Sequence, residues 1–159
     1  MGSFTVSVSK LISSPPEKLY RLIADYRNGH PLIVPEAYFS SLEVEDGPGT
    51  GAGTIIRFNM HVMGRTLHCR SAISEPEPGR VLVEKDLAER AVTTFIVDSQ
   101  NGGKSANVTI TTEMKTRDGI LGAIERFTTS RFLKKVYIQE LKQLSNVAQG
   151  VAARVSRSN

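Results

Sequence analysis

Three histidines, one cysteine and a scatter of carboxylates are the side chains in this 159-residue chain that could move protons or hold a metal. His30 stands in Asn28-Gly29-His30-Pro31, just past a helical stretch, where it would sit at the mouth of whatever that helix covers. Glu84 lies inside Val81-Leu82-Val83-Glu84-Lys85, and strand alternation sends either Glu84 or Lys85 to the inner face. A carboxyl or imidazole carried into an apolar interior has a displaced pKa and can act as acid or base. His30 and Glu84 are therefore the candidate catalytic residues, with a solvated outer position as the alternative for Glu84.

Other chemistries fit less well. His61 and His68 could lie diagonally across a hairpin, but two imidazoles without a third ligand are no metal site, and no metal is expected. Cys69 falls on an apolar face and reads as a small buried hydrophobe rather than a nucleophile. Gly47, Gly49, Gly51 and Gly53 mimic a dinucleotide loop, but that loop must leave a strand and open a helix, whereas this one joins two strands. Gly103-Lys104-Ser105 resembles the end of a phosphate-binding loop, yet Asp98 occupies the required first glycine and a strand follows.

The elements that would position these residues are legible from periodicity. Phe4–Val8 alternates as a first strand. Ser14-Pro15-Pro16-Glu17 predicts a helix start with Ser14 as cap and Glu17 completing a capping box, and Leu19, Leu22, Ile23 and Tyr26 give its buried face. A short helical turn is expected over Leu32–Val34, then a strand over Tyr38–Val44. Thr54–Met63 and Arg65–Ser74 form a hairpin turning at Met63-Gly64. Pairing Val62 with Arg65 sets Met60 opposite Leu67, Phe58 opposite Cys69 and Ile56 opposite Ser71 on one face, with His61 and His68 on the other. That sorting of apolar from polar supports the register. Glu75–Gly79 is expected as a turn, followed by strands at Val81–Asp86, Val92–Asp98 and Ser105–Lys115.

The chain closes on one long helix from Ile120 to about Val151, which at 30 residues would span ~45 Å. A sheet that buries one face against a single helix curls round it and encloses space. The expected fold is thus α+β, a curved antiparallel sheet in the order β-α-α-β6-α wrapped around the C-terminal helix, as one domain over 1–152 with a basic tail at 153–159. The last helix carries two apolar stripes out of phase: Ile120, Leu121, Ile124, Phe127, then Leu133, Val136, Tyr137, Leu141, Leu144, Ala148. The phase changes at Thr128-Thr129-Ser130, where a break, serving as a cavity hinge, is expected.

Net charge is +4, unevenly spread: residues 115–159 hold nine Lys/Arg against three Asp/Glu, the rest eleven against thirteen. The basic end is a solvated helix face or a patch for an acidic partner or anionic surface. A single cysteine permits no internal disulfide and fits a reducing compartment. No membrane-spanning run and no signal peptide are read, so a cytoplasmic protein is expected, monomer or homodimer, with no nucleic-acid partner.

Val6-Ser7-Val8 running into Ile12-Ser13-Ser14-Pro15-Pro16-Glu17-Lys18-Leu19-Tyr20-Arg21-Leu22-Ile23-Ala24-Asp25 resembles the START/Bet v 1-like superfamily, specifically its polyketide cyclase/dehydrase and lipid-transport group. Gly51-Ala52-Gly53-Thr54, Glu77-Pro78-Gly79-Arg80-Val81-Leu82, Ala106-Asn107-Val108-Thr109-Ile110 and Glu140-Leu141-Lys142-Gln143-Leu144 continue the resemblance over nearly the whole chain. It implies a helix-grip fold with a ligand cavity between sheet and helix. The chain departs from the group in having no Trp, with His30-Pro31 where many relatives place one. Fold resemblance does not choose among carriers, cyclases and receptors.

The leading expectation is a noncatalytic binder or carrier of a hydrophobic lipid, polyketide or aromatic molecule, held by Tyr38, Phe58, Met60, Leu67, Phe95, Met114, Phe127 and Tyr137. The alternative is a polyketide cyclase or dehydratase in which Glu84 or His30 moves protons. Neither requires a cofactor. A third reading makes the basic helix a protein-interaction face.

Overall fold

The computed structural model describes residues 2–150, so the expected tail at 153–159 and the domain end at 152 lie outside the described residues. The elements follow in the order β1 (Gly2–Ile12), α1 (Pro16–Ala24), α2 (His30–Ile33), β2 (Phe39–Asp46), β3 (Ile55–Val62), β4 (Arg65–Glu77), β5 (Val81–Asp86), β6 (Ala91–Gln100), β7 (Ser105–Thr116) and α3 (Gly119–Ala148). The seven strands form one antiparallel sheet in the order β1-β7-β6-β5-β4-β3-β2. It curves round α3 in the expected helix-grip arrangement.

The hairpin register holds at every position: Val62 pairs with Arg65, Met60 with Leu67, Phe58 with Cys69 and Ile56 with Ser71. Met63 and Gly64 both take positive φ (46° and 78°), as a two-residue turn matched to strand twist requires. The glycine-rich connector clasps α1 to the sheet and has nothing of a nucleotide loop. Gly49 O accepts from Tyr26 N, Gly51 N donates to Ala24 O, and Glu75 accepts from Ala52 N and the Tyr20 hydroxyl. Gly47 is at φ 85°, where a Cβ would meet Gly53 O at 2.1 Å.

Three sequence expectations are corrected. Ser14 does not cap α1: Pro15 is the N-cap residue, no side chain caps the helix, and Ser14 is buried. The proline pair fixes extended backbone up to the first turn, leaving Ser14 one residue too early to reach the free N–H groups. The turn expected at Glu75–Gly79 begins late, because β4 runs through Glu77 past a bulge in its pairing with β5. Finally, α3 is unbroken over 30 residues. The Thr128 hydroxyl donates back to the Ile124 and Glu125 carbonyls and the helix carries on. The two apolar stripes are real, but the helix does not bend to bury both. The first faces solvent, with Ile120 81% and Phe127 63% exposed, and the break expected there is absent.

The packed core fills one end of the grip. Val136, Leu141, Leu144 and Ala148 of α3 meet Leu19 and Ile23 of α1 and the strand residues Val6, Ile12, Leu82, Val97, Val108 and Ile110. α1 and the C-terminal half of α3 each turn one apolar stripe at i, i+3, i+4 spacing toward this core. At the other end the inner faces of the strands splay away from α3 without filling the gap.

Candidate functional site

That gap is a cavity of about 280 Å³, just under the ~300–1,000 Å³ usual for small-molecule sites. Its walls are Phe39 and Leu42 of β2, Phe58 and Met60 of β3, Leu67 and Cys69 of β4, Met114 of β7 and Leu133 of α3. Exposed Leu67 and the half-exposed Arg90 side chain mark the mouth. There Arg90 Nε donates to Asp86 Oδ2 at 2.8 Å. Burial works against the Asp86 charge, but Arg90 outweighs it and holds that carboxyl below its usual value.

Depth is graded by strand register. Leu82, Phe95 and Ile110 form an apolar inner row, paired Leu82 to Phe95 and Phe95 to Ile110. Two residues on, Glu84, Thr93 and Thr112 form a polar row, paired Glu84 to Thr93 and Thr93 to Thr112. Beyond it, Ala91 pairs with Met114 near the mouth. Alternation therefore places a belt of polar groups across the concave face, with Ser71 and Asp86 adding polar atoms nearer the mouth.

Two helices meet that belt. Tyr137 of α3 shares a hydrogen bond with Thr112 Oγ1 at 2.5 Å, and Thr112 with Thr93 at 2.8 Å. Burial raises the Tyr137 hydroxyl pKa, so it stays protonated although Thr112 pulls the other way. His30 opens α2 and is 3% exposed. It lies deep in the fold, not at the mouth: the chain leaves α1 and turns inward, because Asp25 Oδ1 accepts from Arg27 N and Asn28 N and closes the turn. The His30 ring is stacked on Tyr26 (centroids 4.6 Å) and meets Phe95 edge-on (5.6 Å). Its Nδ1–H donates to the Ile23 carbonyl at 2.7 Å, since a carbonyl can only accept. Nε2 therefore faces the cavity, 3.7 Å from Glu84 Oε1 and 3.8 Å from Glu140 Oε1.

The two carboxyls are not equivalent. Glu84 accepts a 2.6 Å hydrogen bond from the Tyr26 hydroxyl, whose own pKa is raised by burial and by the Glu84 charge. Glu140 is 3% exposed, lines the cavity and receives no hydrogen bond from any described residue. Burial first, and the nearby Glu84 charge second, raise its pKa well above the ordinary value and favour its protonated form. The pole thus offers a protonated carboxyl, an imidazole nitrogen and a tyrosine-anchored carboxylate within one small volume.

Of the sequence candidates, His30, Glu84, Phe58, Met60, Leu67, Phe95, Met114 and Tyr137 line the cavity. Glu84 faces inward and Lys85 is exposed, which resolves the alternation. Tyr38 does not line it and packs edge-on against Phe132 at 5.3 Å. Phe127 stands in solvent beneath the Arg131 guanidinium, because its turn of α3 overhangs the core. Cys69 lines the wall as a half-buried thiol, its pKa raised by burial against the pull of Arg90. His61 is tied to Ser40 and Thr66, and His68 to Asn59. Among the described residues no three His, Cys, Asp or Glu side chains are spaced to hold a metal ion. Glu140 went unread as a site residue, although it falls on the buried stripe, three residues after Tyr137 and four before Leu144. A lone carboxyl at such a position was the available signal.

A sheet gripping one helix round an apolar cavity with a polar pole defines the class: a helix-grip protein that takes a hydrophobic small molecule into its interior. The sequence pattern of the family described as polyketide cyclase / dehydrase and lipid transport matches residues 3–149, and the chain belongs to that family. Among solved structures it is similar to the KanY protein (22% identity, TM-score 0.80, covering 94% of this chain and 99% of that one). It is also similar to TTHA0849 from Thermus thermophilus (20%, TM-score 0.76, 93% and 99%) and to the Zhui aromatase/cyclase from Streptomyces sp. R1128 (13%, TM-score 0.75, 93% and 94%). No curated protein matches the chain. No helix among the described residues is long and apolar enough to cross a membrane.

Proposed function

We propose that the protein binds and carries a hydrophobic small molecule in the cytoplasm, with the apolar body against Phe58, Met60 and Met114 and its one polar end at the His30–Glu84–Glu140 pole. The observation that carries this is the cavity itself, apolar along most of its wall, with the Arg90–Asp86 pair at its mouth and the His30–Glu84–Glu140 cluster at its buried end. Few, well-placed polar groups are what a site needs to orient a mostly apolar ligand. Native mass spectrometry of the freshly purified protein tests it: a retained apolar mass, lost on denaturation, is expected. A protein that neither retains nor takes up any apolar compound refutes it.

A second reading, dehydration or cyclisation of a β-hydroxy ketone, is favoured by one geometric fact: two carboxyl oxygens lie within 3.8 Å of one cavity-facing imidazole nitrogen. His30 Nε2 would take the acidic C–H proton, and the Glu140 carboxyl would protonate the departing hydroxyl. A C=C bond forms, water leaves, and no oxidant is consumed. Loss of water from a β-hydroxy ketone by the wild type, abolished in His30→Ala, supports this reading; equal rates in both exclude it.

The exposed face of α3 carries a separate part of the proposal. Ile120, Leu121, Ile124 and Phe127 project into solvent beside the exposed Arg126 and Arg131. Lys115 N bonds Arg90 O at the cavity mouth, and the helix begins four residues later. An apolar face rimmed by cations suits an anionic lipid surface, and here it adjoins the door through which a lipophilic ligand would pass.

A further inference from the structure

We infer that the cavity selects an uncharged ligand whose buried end carries a hydrogen-bond-accepting oxygen, a ketone or equivalent carbonyl, and that Glu140 donates the hydrogen bond that holds it. This rests on the binding function proposed above and adds the chemical class of the ligand.

Geometry singles out Glu140. Apart from His30 Nε2, which also faces the cavity, the groups around it are engaged inside the protein. Tyr26 is spent on Glu84, Tyr137 and Thr93 on Thr112, and His30 Nδ1 on Ile23. The Glu140 carboxyl lines the cavity with no hydrogen-bond partner among the described residues, and His30 Nε2 at 3.8 Å is too far to supply one. A carboxyl that opens onto the cavity without a protein partner takes its hydrogen bond from whatever enters there.

The groups facing Glu140 decide the ligand's charge. They are the Glu84 carboxylate, the His30 imidazole and the Tyr26 and Tyr137 hydroxyls. A ligand carboxylate placed here would be a further anion beside Glu84, in surroundings too dry to screen it. A protonated Glu140, its pKa raised for the same reasons of burial and the Glu84 charge, has one O–H to give. A carbonyl oxygen accepts it without bringing charge. An alkane leaves it unmade, and sites built around one buried donor discriminate strongly against a ligand that lacks the acceptor.

The test compares decan-2-one, decanoate, decylamine and decane in displacing the neutral fluorophore N-phenyl-1-naphthylamine, at neutral pH, from wild type, Glu140→Gln and Glu140→Leu. The amide keeps a donor in place and the leucine removes it. Decan-2-one is expected to bind wild type at least tenfold more tightly than decanoate, to be held within about threefold by Glu140→Gln, and to weaken about tenfold in Glu140→Leu. The infrared carbonyl stretch of bound, ¹³C-labelled ketone should fall in wild type and Glu140→Gln and stay at its apolar-solvent position in Glu140→Leu. If the fluorophore binds all three proteins but decanoate equals the ketone, or Glu140→Leu holds the ketone as wild type does, the inference is overturned and the binding function stands. Decylamine binding tightest, and losing that advantage in Glu140→Gln, also overturns it, because Glu140 would then be an anion paired with a cationic ligand. If neither fluorophore nor any decyl compound binds, the binding function fails and takes this inference with it.

Discussion

Replacing Glu140 with glutamine should stabilise the protein increasingly as pH rises. In the unfolded chain this carboxyl loses its proton near its ordinary value of ~4.3. In the fold, burial and the Glu84 charge raise its pKa, so the native state keeps a proton that the unfolded state has released. Stability therefore falls as pH climbs above ~4.3 and goes on falling until the folded-state pKa is reached; it is fully present only below that window. The slope is set by one proton, about 1.4 kcal/mol per pH unit. With no described hydrogen bond to offset it and 3% exposure, Glu140 should show nearly the whole slope. Glutamine has almost the same shape and does not titrate, while Glu84, His30, Tyr26 and Tyr137 remain in both proteins. Urea unfolding at pH 5, 6 and 7 should give a difference between variant and wild type that widens by up to about 1.4 kcal/mol per unit. A constant difference, or wild type gaining on the variant as pH rises, would show that Glu140 is ionised in the fold and paired with a protonated His30, and the reasoning would be wrong.

Phe95→Ala, at a buried position beneath the His30 ring, should cost ~3–5 kcal/mol in denaturant titrations. Phe58→Ala should cost clearly less, since Phe58 faces open cavity on one side, and should instead admit bulkier ligands. The Cys69 thiol should react with a disulfide reagent more slowly than in urea-unfolded protein, and more slowly still when the cavity is filled, because it is half-buried in the wall with a raised pKa. Leu121→Asp together with Ile124→Asp should leave stability within about 0.5 kcal/mol, these side chains being exposed. In vesicle co-sedimentation the same pair should abolish binding to anionic vesicles, and unchanged binding would remove the docking role from this face.

Periodicity alone was enough for the strands, the β3–β4 register and the placing of six of the eight expected apolar or aromatic residues on the cavity wall, because side-chain alternation is a local property of a strand that any sheet must respect. The same logic put Glu84 on a two-way choice, which only the identity of the inner face could resolve. The misreadings share another origin. Phe127 and Leu133 carry equally good helical signals, and which of them is buried depends on where the sheet ends beneath α3, a quantity written nowhere in the helix. His30 looked like a mouth residue because a turn signal reveals that the chain bends without saying which way. Glu140 looked like one charge among many on a basic helix. Its chemistry exists only because α2, β5 and α3, separated by some fifty to a hundred residues of chain, close on one point and exclude water there. Tertiary packing alone can convert a solvated carboxylate into a buried acid, since the pKa of a group is set by what surrounds it and not by its neighbours in sequence.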